Sequence, residues 1–165
     1  MPSKENCYGL TPEALQGLLV ETVKEILEPM VLFGAAGEDR KMSVYEHCLP
    51  EAQGSDEDNG FDFPPYTIVR MVGGNRSDAD EAMKVDFYLL FCIVDTSKRK
   101  QGHKILLGVI SRVENWFGER SSLGPFDINP DFEFVIQDAD THPYYYGAVK
   151  LSFGVPKTAK RSDLA

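Results

Sequence analysis

The sequence predicts an α+β domain in which helices pack on a four-stranded sheet. Two segments carry apolar residues at helical spacing, and four segments are rich in β-forming residues. Their order along the chain is helix, strand, strand, helix, strand, strand. A chain of 165 residues suits one domain, which can bury a core without the help of a metal or a disulfide.

The first helix is predicted over residues 11–28. Thr11 is a good N-cap, and Pro12 suits the first turn because its missing N–H would be unpaired there. Pro29 marks the end of the helix. One apolar stripe follows the helical period: Leu15, Leu18, Leu19, Val23, Ile26 and Leu27. This helix therefore needs an apolar surface to lie on.

The chain divides into three parts within a single domain, 1–165. Residues 1–60 hold the N-terminal helix and a long irregular loop, since no period holds from 30 to 62 and the stretch 55–60 is acidic and turn-rich. Residues 61–156 form the αβ core. Residues 157–165 are polar, and we expect a flexible tail.

A pair of strands is predicted at residues 66–72 and 83–94, joined by a polar connection from Gly73 to Glu81. The second strand is apolar on both sides. One side presents Val85, Phe87, Leu89, Phe91 and Ile93, and the other presents Tyr88, Leu90, Cys92 and Val94. Such a strand belongs in the middle of a sheet with cover on both faces, because it would promote aggregation on an open edge.

The second half of the chain predicts another helix and two strands. Asp95, Thr96 or Ser97 caps the helix, and Gly118 ends it. Its apolar stripe is Ile105, Leu106, Val109, Ile110, Val113 and Phe117. The strands are expected at 132–137 and 144–155.

Composition excludes several classes of protein. Seventeen Lys and Arg against 26 Asp and Glu leave a net charge of −9, which argues against a nucleic-acid-coating protein and against sequence-specific nucleic-acid binding. Three separated cysteines without a CxxC pattern predict neither a disulfide framework nor a metal site. The longest apolar run, Phe87 to Val94, is far shorter than the ~20 residues of a membrane helix.

A search for chemistry predicts no catalytic residues, no cofactor and no metal. No G-x-S-x-G, P-loop or G-x-G-x-x-G motif occurs, so the chain is not expected to be an enzyme. One alternative of this class stays open. His142 and the loop from Asp78 to Glu81 would serve a small hydrolase or a ligand-binding domain if the fold brought them together.

The tyrosine run at 144–146 points instead to a protein interface. Strand alternation places Tyr144 and Tyr146 on one face and Tyr145 on the other. Aromatic residues of this kind are enriched at protein–protein interfaces, although sheet packing explains the run equally well. The candidate interface residues are Arg70, Gly73, Gly74, Asn75, Arg76, Asp78, Asp80, Tyr144, Tyr145 and Tyr146.

Three blocks between residues 61 and 156 resemble one known family in their order and spacing. They are FDFPPYTIVRMVGG, MKVDFYLLFCIVDTSKRKQGHKILLGVISRVENWF and HPYYYGAVKLSFGVP. Together they resemble the tail-terminator (tail-completion) proteins of long-tailed phages and prophages, the group that includes the lambda-type minor tail protein U. The closing strand departs from that pattern, since it carries Lys150, Ser152 and Phe153 where the family usually has Thr and Trp.

The resemblance implies a structural role in the virion. Such proteins assemble with copies of themselves into a ring, typically hexameric, on the end of the tail tube. The ring stops tube polymerisation and presents the surface to which the filled head docks. The implied partners are therefore the tail tube protein and a head–tail connector protein, with assembly in the cytoplasm of the bacterial host. A head–tail connector or another minor tail protein is the alternative within the same class.

Overall fold

The computed structural model describes residues 9–51 and 64–157. Those ranges contain two helices and nine strands. The helices are α1 (Pro12–Leu27) and α2 (Gly102–Gly118). The strands are β1 (Leu32–Phe33), β2 (Asp39–Arg40), β3 (Ser43–Glu46), β4 (Tyr66–Asn75), β5 (Met83–Val94), β6 (Ser122–Leu123), β7 (Phe126–Ile128), β8 (Glu133–Ile136) and β9 (Tyr144–Val155).

Seven of the strands form one curled mixed sheet in the order β3-β4-β5-β9-β7-β6, and β8 also pairs with β9. The β3–β4 pair is parallel, and the other pairs of this sheet are antiparallel. Strands β1 and β2 form a separate two-stranded sheet. The long strands β4, β5 and β9 lie side by side at the centre.

The predicted four-stranded α+β sheet is therefore wrong, because the fold is mostly sheet and has seven strands in its main layer. The missing strands, β3, β6 and β7, are two to four residues long. These segments give little alternation to recognise. Strands β3 and β7 are ordered by pairing with the long strands β4 and β9, and β6 by pairing with β7. The stretch from 30 to 62, expected to be irregular, contains β1, β2 and β3 before its acidic part, 55–60, which lies outside the described residues.

Helix α1 begins as predicted. The backbone N–H of Ala14 donates to Oγ1 of Thr11 at 3.1 Å, and Pro12 occupies the first turn. Helix α2 begins at Gly102, later than the predicted cap. Asp95 still holds its start, because one carboxylate oxygen accepts from the N–H of Ser97 at 3.0 Å and the other from the N–H of Gln101 at 3.1 Å.

Both helices lie on the same face of the sheet. Helix α1 packs on β3, β4 and α2, and α2 packs on β5 and β9. The side chains between the layers are fully buried and include Val69, Phe87, Leu89, Val149 and Phe153. Phe117 of α2 meets the ring of Phe153 edge-on at 6.0 Å between centroids. The core is therefore a single layer between the two helices and one face of the sheet.

Two glycines of α2 give a matched pair of substitutions. A Cβ on Gly102 would overlap the ring of Tyr145, whereas a Cβ on Gly108 meets nothing within 4 Å. We expect Gly102→Ala to lower the free energy of unfolding by about 1–3 kcal/mol, because well-packed aromatic rings resist displacement. Gly108→Ala should raise it by about 0.5–1 kcal/mol through a better helix propensity. Urea denaturation measures both, and equal effects would contradict the packing of Tyr145 on α2.

Asp95 provides a test that depends on pH. Burial raises the pKa of its carboxyl, but the N–H donors of Ser97 and Gln101 outweigh this and lower the pKa below its usual value. A carboxylate with a lowered pKa stabilises the fold above about pH 4, and this stabilisation is lost as the pH falls through the folded-state pKa. Asp95→Asn should therefore cost about 1 kcal/mol at pH 7 and much less near pH 2. A difference between the two proteins that does not change with pH would contradict this.

Candidate protein interface on the open face of the sheet

The open face of the sheet is the side away from α1 and α2. Strand register arranges its side chains in rows across β4, β5 and β9. Two rows at one end are largely apolar, and the next row carries two cations around a tyrosine. The rows are Tyr66–Cys92–Tyr146, Ile68–Leu90–Ala148 and Arg70–Tyr88–Lys150. The face thus changes from apolar to charged along the strands.

A groove of about 390 Å³ occupies the apolar end of this face. Its floor comes from the central strands, and β8 forms one wall. The residues that shape it are Tyr66, Ile68, Leu90, Val135, Tyr146 and Ala148. The side of the groove is accessible, since Val135 is 65% exposed and Tyr146 is 38% exposed. A groove with this lining suits an apolar protein surface better than a small polar ligand.

The polar atoms at the end of the groove are uncharged at neutral pH. Cys92 lies between Tyr66 and Tyr146 of the neighbouring strands, and burial raises the pKa of its thiol to about 11. Burial and the adjacent Cys92 also raise the pKa of the Tyr66 hydroxyl, and the same causes act on Tyr146. No charge therefore has to be desolvated when a partner covers this end.

Arg70, which the sequence analysis names as a candidate interface residue, lies at the charged end of the open face. It is exposed, and its Nε–H donates to the carbonyl oxygen of His47 at 3.2 Å. Beside it in the register, Tyr88 is 37% exposed. Further along, the hydroxyl of Ser152 donates to the carboxylate of Asp86. This end offers hydrogen bonds and charge rather than apolar area.

The tyrosine run divides between the two faces, as its alternation predicts. Tyr144 and Tyr146 are in register with Val94 and Cys92 on the open face. Tyr145 points to the helix side, where its ring lies against Gly102. Its hydroxyl lies 3.0 Å from Nδ1 of His142. Only Tyr146 among the three shapes the groove.

The candidate residues of the hairpin lie at the other end of the sheet. Gly73, Gly74 and Asn75 belong to β4 itself, which runs past the predicted start of the connection. Arg76, Asp78 and Asp80 are in the exposed loop, where the carboxylate of Asp80 lies 3.1 Å from Nζ of Lys157. Tyr146 is in register with Cys92, nine residues along β5 from Met83. At ~3.4 Å per residue, this separates the loop from Tyr146 by about 31 Å. The structure therefore does not gather the candidates into one patch.

The residues of the alternative chemical site are likewise separated. His142 precedes β9 beside the end of β5, whereas the Asp78–Glu81 loop precedes the start of β5. Among the described residues, no three His, Cys, Asp or Glu side chains come close enough to hold a metal ion. In the same residues, neither helix has the length and apolar character needed to cross a membrane.

Reasoning from the sequence missed the groove residues Tyr66, Ile68, Leu90 and Val135. One signal was present, since the second apolar side of β5 predicts that something covers Leu90. No signal showed that β8 would form a wall beside it, because the register of β8 on β9 and the curl of the sheet are tertiary properties.

The thiols test the burial of the open face. We expect iodoacetamide to label Cys48, which is exposed, and to leave Cys92 unlabelled at pH 8, because Cys92 is buried and its pKa is raised to about 11. Tyr146→Ala should open a path and raise the labelling of Cys92 at least several-fold. Peptide mass spectrometry measures both sites in one sample. Rapid labelling of Cys92 in the unmodified protein would contradict this arrangement.

No protein-family model matches this chain, and no curated protein matches it significantly. The likeness to tail-terminator proteins therefore stays a prediction that depends on the order of three sequence blocks.

Proposed function

We propose that this chain is a structural subunit of a phage tail terminator. Copies of it would form a ring on the end of the tail tube, stop tube polymerisation and offer the surface on which the head docks. The support for this role comes from the block order at residues 61–156 and from the apolar groove that the described residues leave open on the sheet. The tail tube protein and a connector protein are the further partners.

The observation that carries the proposal is that the central strand β5 is apolar on both sides while both helices cover the same side. Exposed apolar patches of this kind mark protein contacts. A stable contact buries roughly 800 Å² on each partner, so the groove would form the apolar centre of a larger interface. A neighbouring subunit is the cover that a ring supplies.

The charge of the chain is compatible with a ring through which DNA passes. A net charge of −9 repels the phosphate backbone, so DNA would move past such a ring without adhering to it. A basic channel would instead retain the DNA through release of counterions.

Electron microscopy with and without tail tubes tests the role directly. Tubes assembled from the tail tube protein of the same phage genome would be incubated with the purified chain and imaged by negative stain. We expect closed rings at tube ends and tubes that no longer extend when more tube protein is added. Native mass spectrometry over a range of concentrations measures self-association. A chain that binds neither itself nor tube ends contradicts the proposal.

A substitution in the groove gives a sharper comparison. Tyr146→Lys places a charge at the mouth of the groove and should reduce self-association or tube-end binding at least tenfold, since the contact would have to desolvate an ammonium group. Val72→Lys is the matched control, because Val72 is 51% exposed on β4 away from the groove. Thermal unfolding of both variants checks that each retains its fold. Equal losses in the two variants would contradict a role for the groove.

A further inference from the structure

Among the described residues, three strands of the main sheet pair on one side only: β3, β6 and β8. Strand β6 has two residues, so β3 and β8 are the outer strands long enough to form a ladder. Strand β3 pairs with β4 only, and β8 pairs with β9 only. The β8 strand is exposed on both sides, with Phe134 51% and Val135 65% exposed. An exposed apolar edge strand is a template for pairing with another strand, and proteins normally cover or charge such an edge.

We propose that β8 of one copy pairs in antiparallel fashion with β3 of the next copy, so that neighbouring subunits share one continuous sheet. This contact rests on the proposed function, which requires the chain to self-assemble. In this contact the outer edge of β8 meets the outer edge of β3, and a ladder of main-chain hydrogen bonds joins them, as in β-augmentation.

The direction of the strands fits this pairing. Strand β3 is parallel to β4, and the β4–β5, β5–β9 and β9–β8 pairs are all antiparallel. Strand β8 therefore runs opposite to β3. When a second copy continues the sheet in the same orientation, its β3 meets β8 in the antiparallel sense, and no reversal of the subunit is needed.

The free backbone groups of both strands also point outward at matching positions. The N–H of Gln137 donates to the carbonyl of Tyr146 at 2.9 Å, so by alternation Phe134 and Ile136 direct their backbone groups away from β9. On β3, the N–H groups of Ser43 and His47 donate toward β4, at 3.1 Å and 2.9 Å. The intervening Val44 therefore directs its backbone groups outward.

The side chains at these outward positions share one face of the sheet. Val44 packs in the core under α1, Phe134 is in register with the buried Val149, and Ile136 is two residues further on the same side. Opposite residues of an antiparallel ladder share a face, and in a hydrogen-bonded pair both direct their backbone groups at each other. Both conditions hold when Val44 lies opposite Phe134 or Ile136. If the faces or the directions of the backbone groups had not matched, β3 of the next copy could not continue the sheet beyond β8.

Charge favours the pairing of two different edges. The segment around β8 contains Asp131, Glu133 and Asp138 and no Lys or Arg, so two β8 edges repel each other. Within the paired segments β3 and β8, no like charges lie directly opposite in either of the two allowed registers. A contact between two different edges is heterologous, which is the type of contact that closes into a ring.

Disulfide trapping between two variants tests the contact. In a Cys7→Ser, Cys48→Ser background, a Val135→Cys chain is mixed under mild oxidation with either a Ser43→Cys or a Tyr45→Cys chain. Val135 would face Ser43 in one allowed register and Tyr45 in the other, as a non-hydrogen-bonded pair with Cα atoms about 4.5 Å apart, within disulfide range. We expect one of the two mixtures to give disulfide-linked heterodimers in high yield. A Lys84→Cys chain in place of the Val135→Cys chain is the control, and we expect it to stay unlinked.

A charge on the same edge gives an independent measurement. Val135→Lys should lower self-association at least tenfold in native mass spectrometry and leave the unfolding temperature unchanged, with Val72→Lys as control. Self-association that persists without the Val135→Cys link, or equal linking of Lys84→Cys, overturns this contact and leaves the proposed function intact. Absence of self-association both with and without tail tubes overturns the proposed function and this contact together.

Discussion

The structure depends on one constraint, which is that β5 has apolar side chains on both sides. The described residues contain two helices to cover it. Hydrophobic burial is the main favourable term in folding. Both helices cover the same side of β5, where Phe87 and Leu89 are fully buried. The other side of the strand, with Leu90 and Cys92, is covered in part by the neighbouring tyrosines of β4 and β9. The groove is what remains where this cover is incomplete, so the surface feature follows directly from how the core is built.

The elements that could be predicted best are those whose apolar pattern continues over about seven residues or more. Helix α1 shows its start in Thr11 and Pro12, and β5 and β9 show their alternation over twelve residues each. The two-residue strand β6 has no pattern of its own and exists because β7 lies beside it. Which side of the sheet each helix chooses could not be predicted either, because an apolar stripe looks the same whichever face it covers.

The candidate interface also contains residues that could be predicted from the sequence and residues that could not. The tyrosine run could be assigned to faces from alternation alone, and Tyr146 does reach the groove. Tyr66 could not be placed beside it, because their approach depends on two registers, Tyr66 with Cys92 and Cys92 with Tyr146. The glycines at 73 and 74 predict the start of a turn. In the structure β4 continues through them, beyond a bulge after Met71. Glycine permits a turn without requiring one.

The position of β9 has a mechanical consequence. This strand pairs with β5 along its whole length, while its other side pairs with β8 near one end and with β7 near the other. A pull on β8 along the strand direction would load many main-chain hydrogen bonds at once, in shear, before any strand could peel away. A load across the sheet would likewise pass through β9 into β5. The architecture thus distributes tension over the long strands at the centre of the sheet.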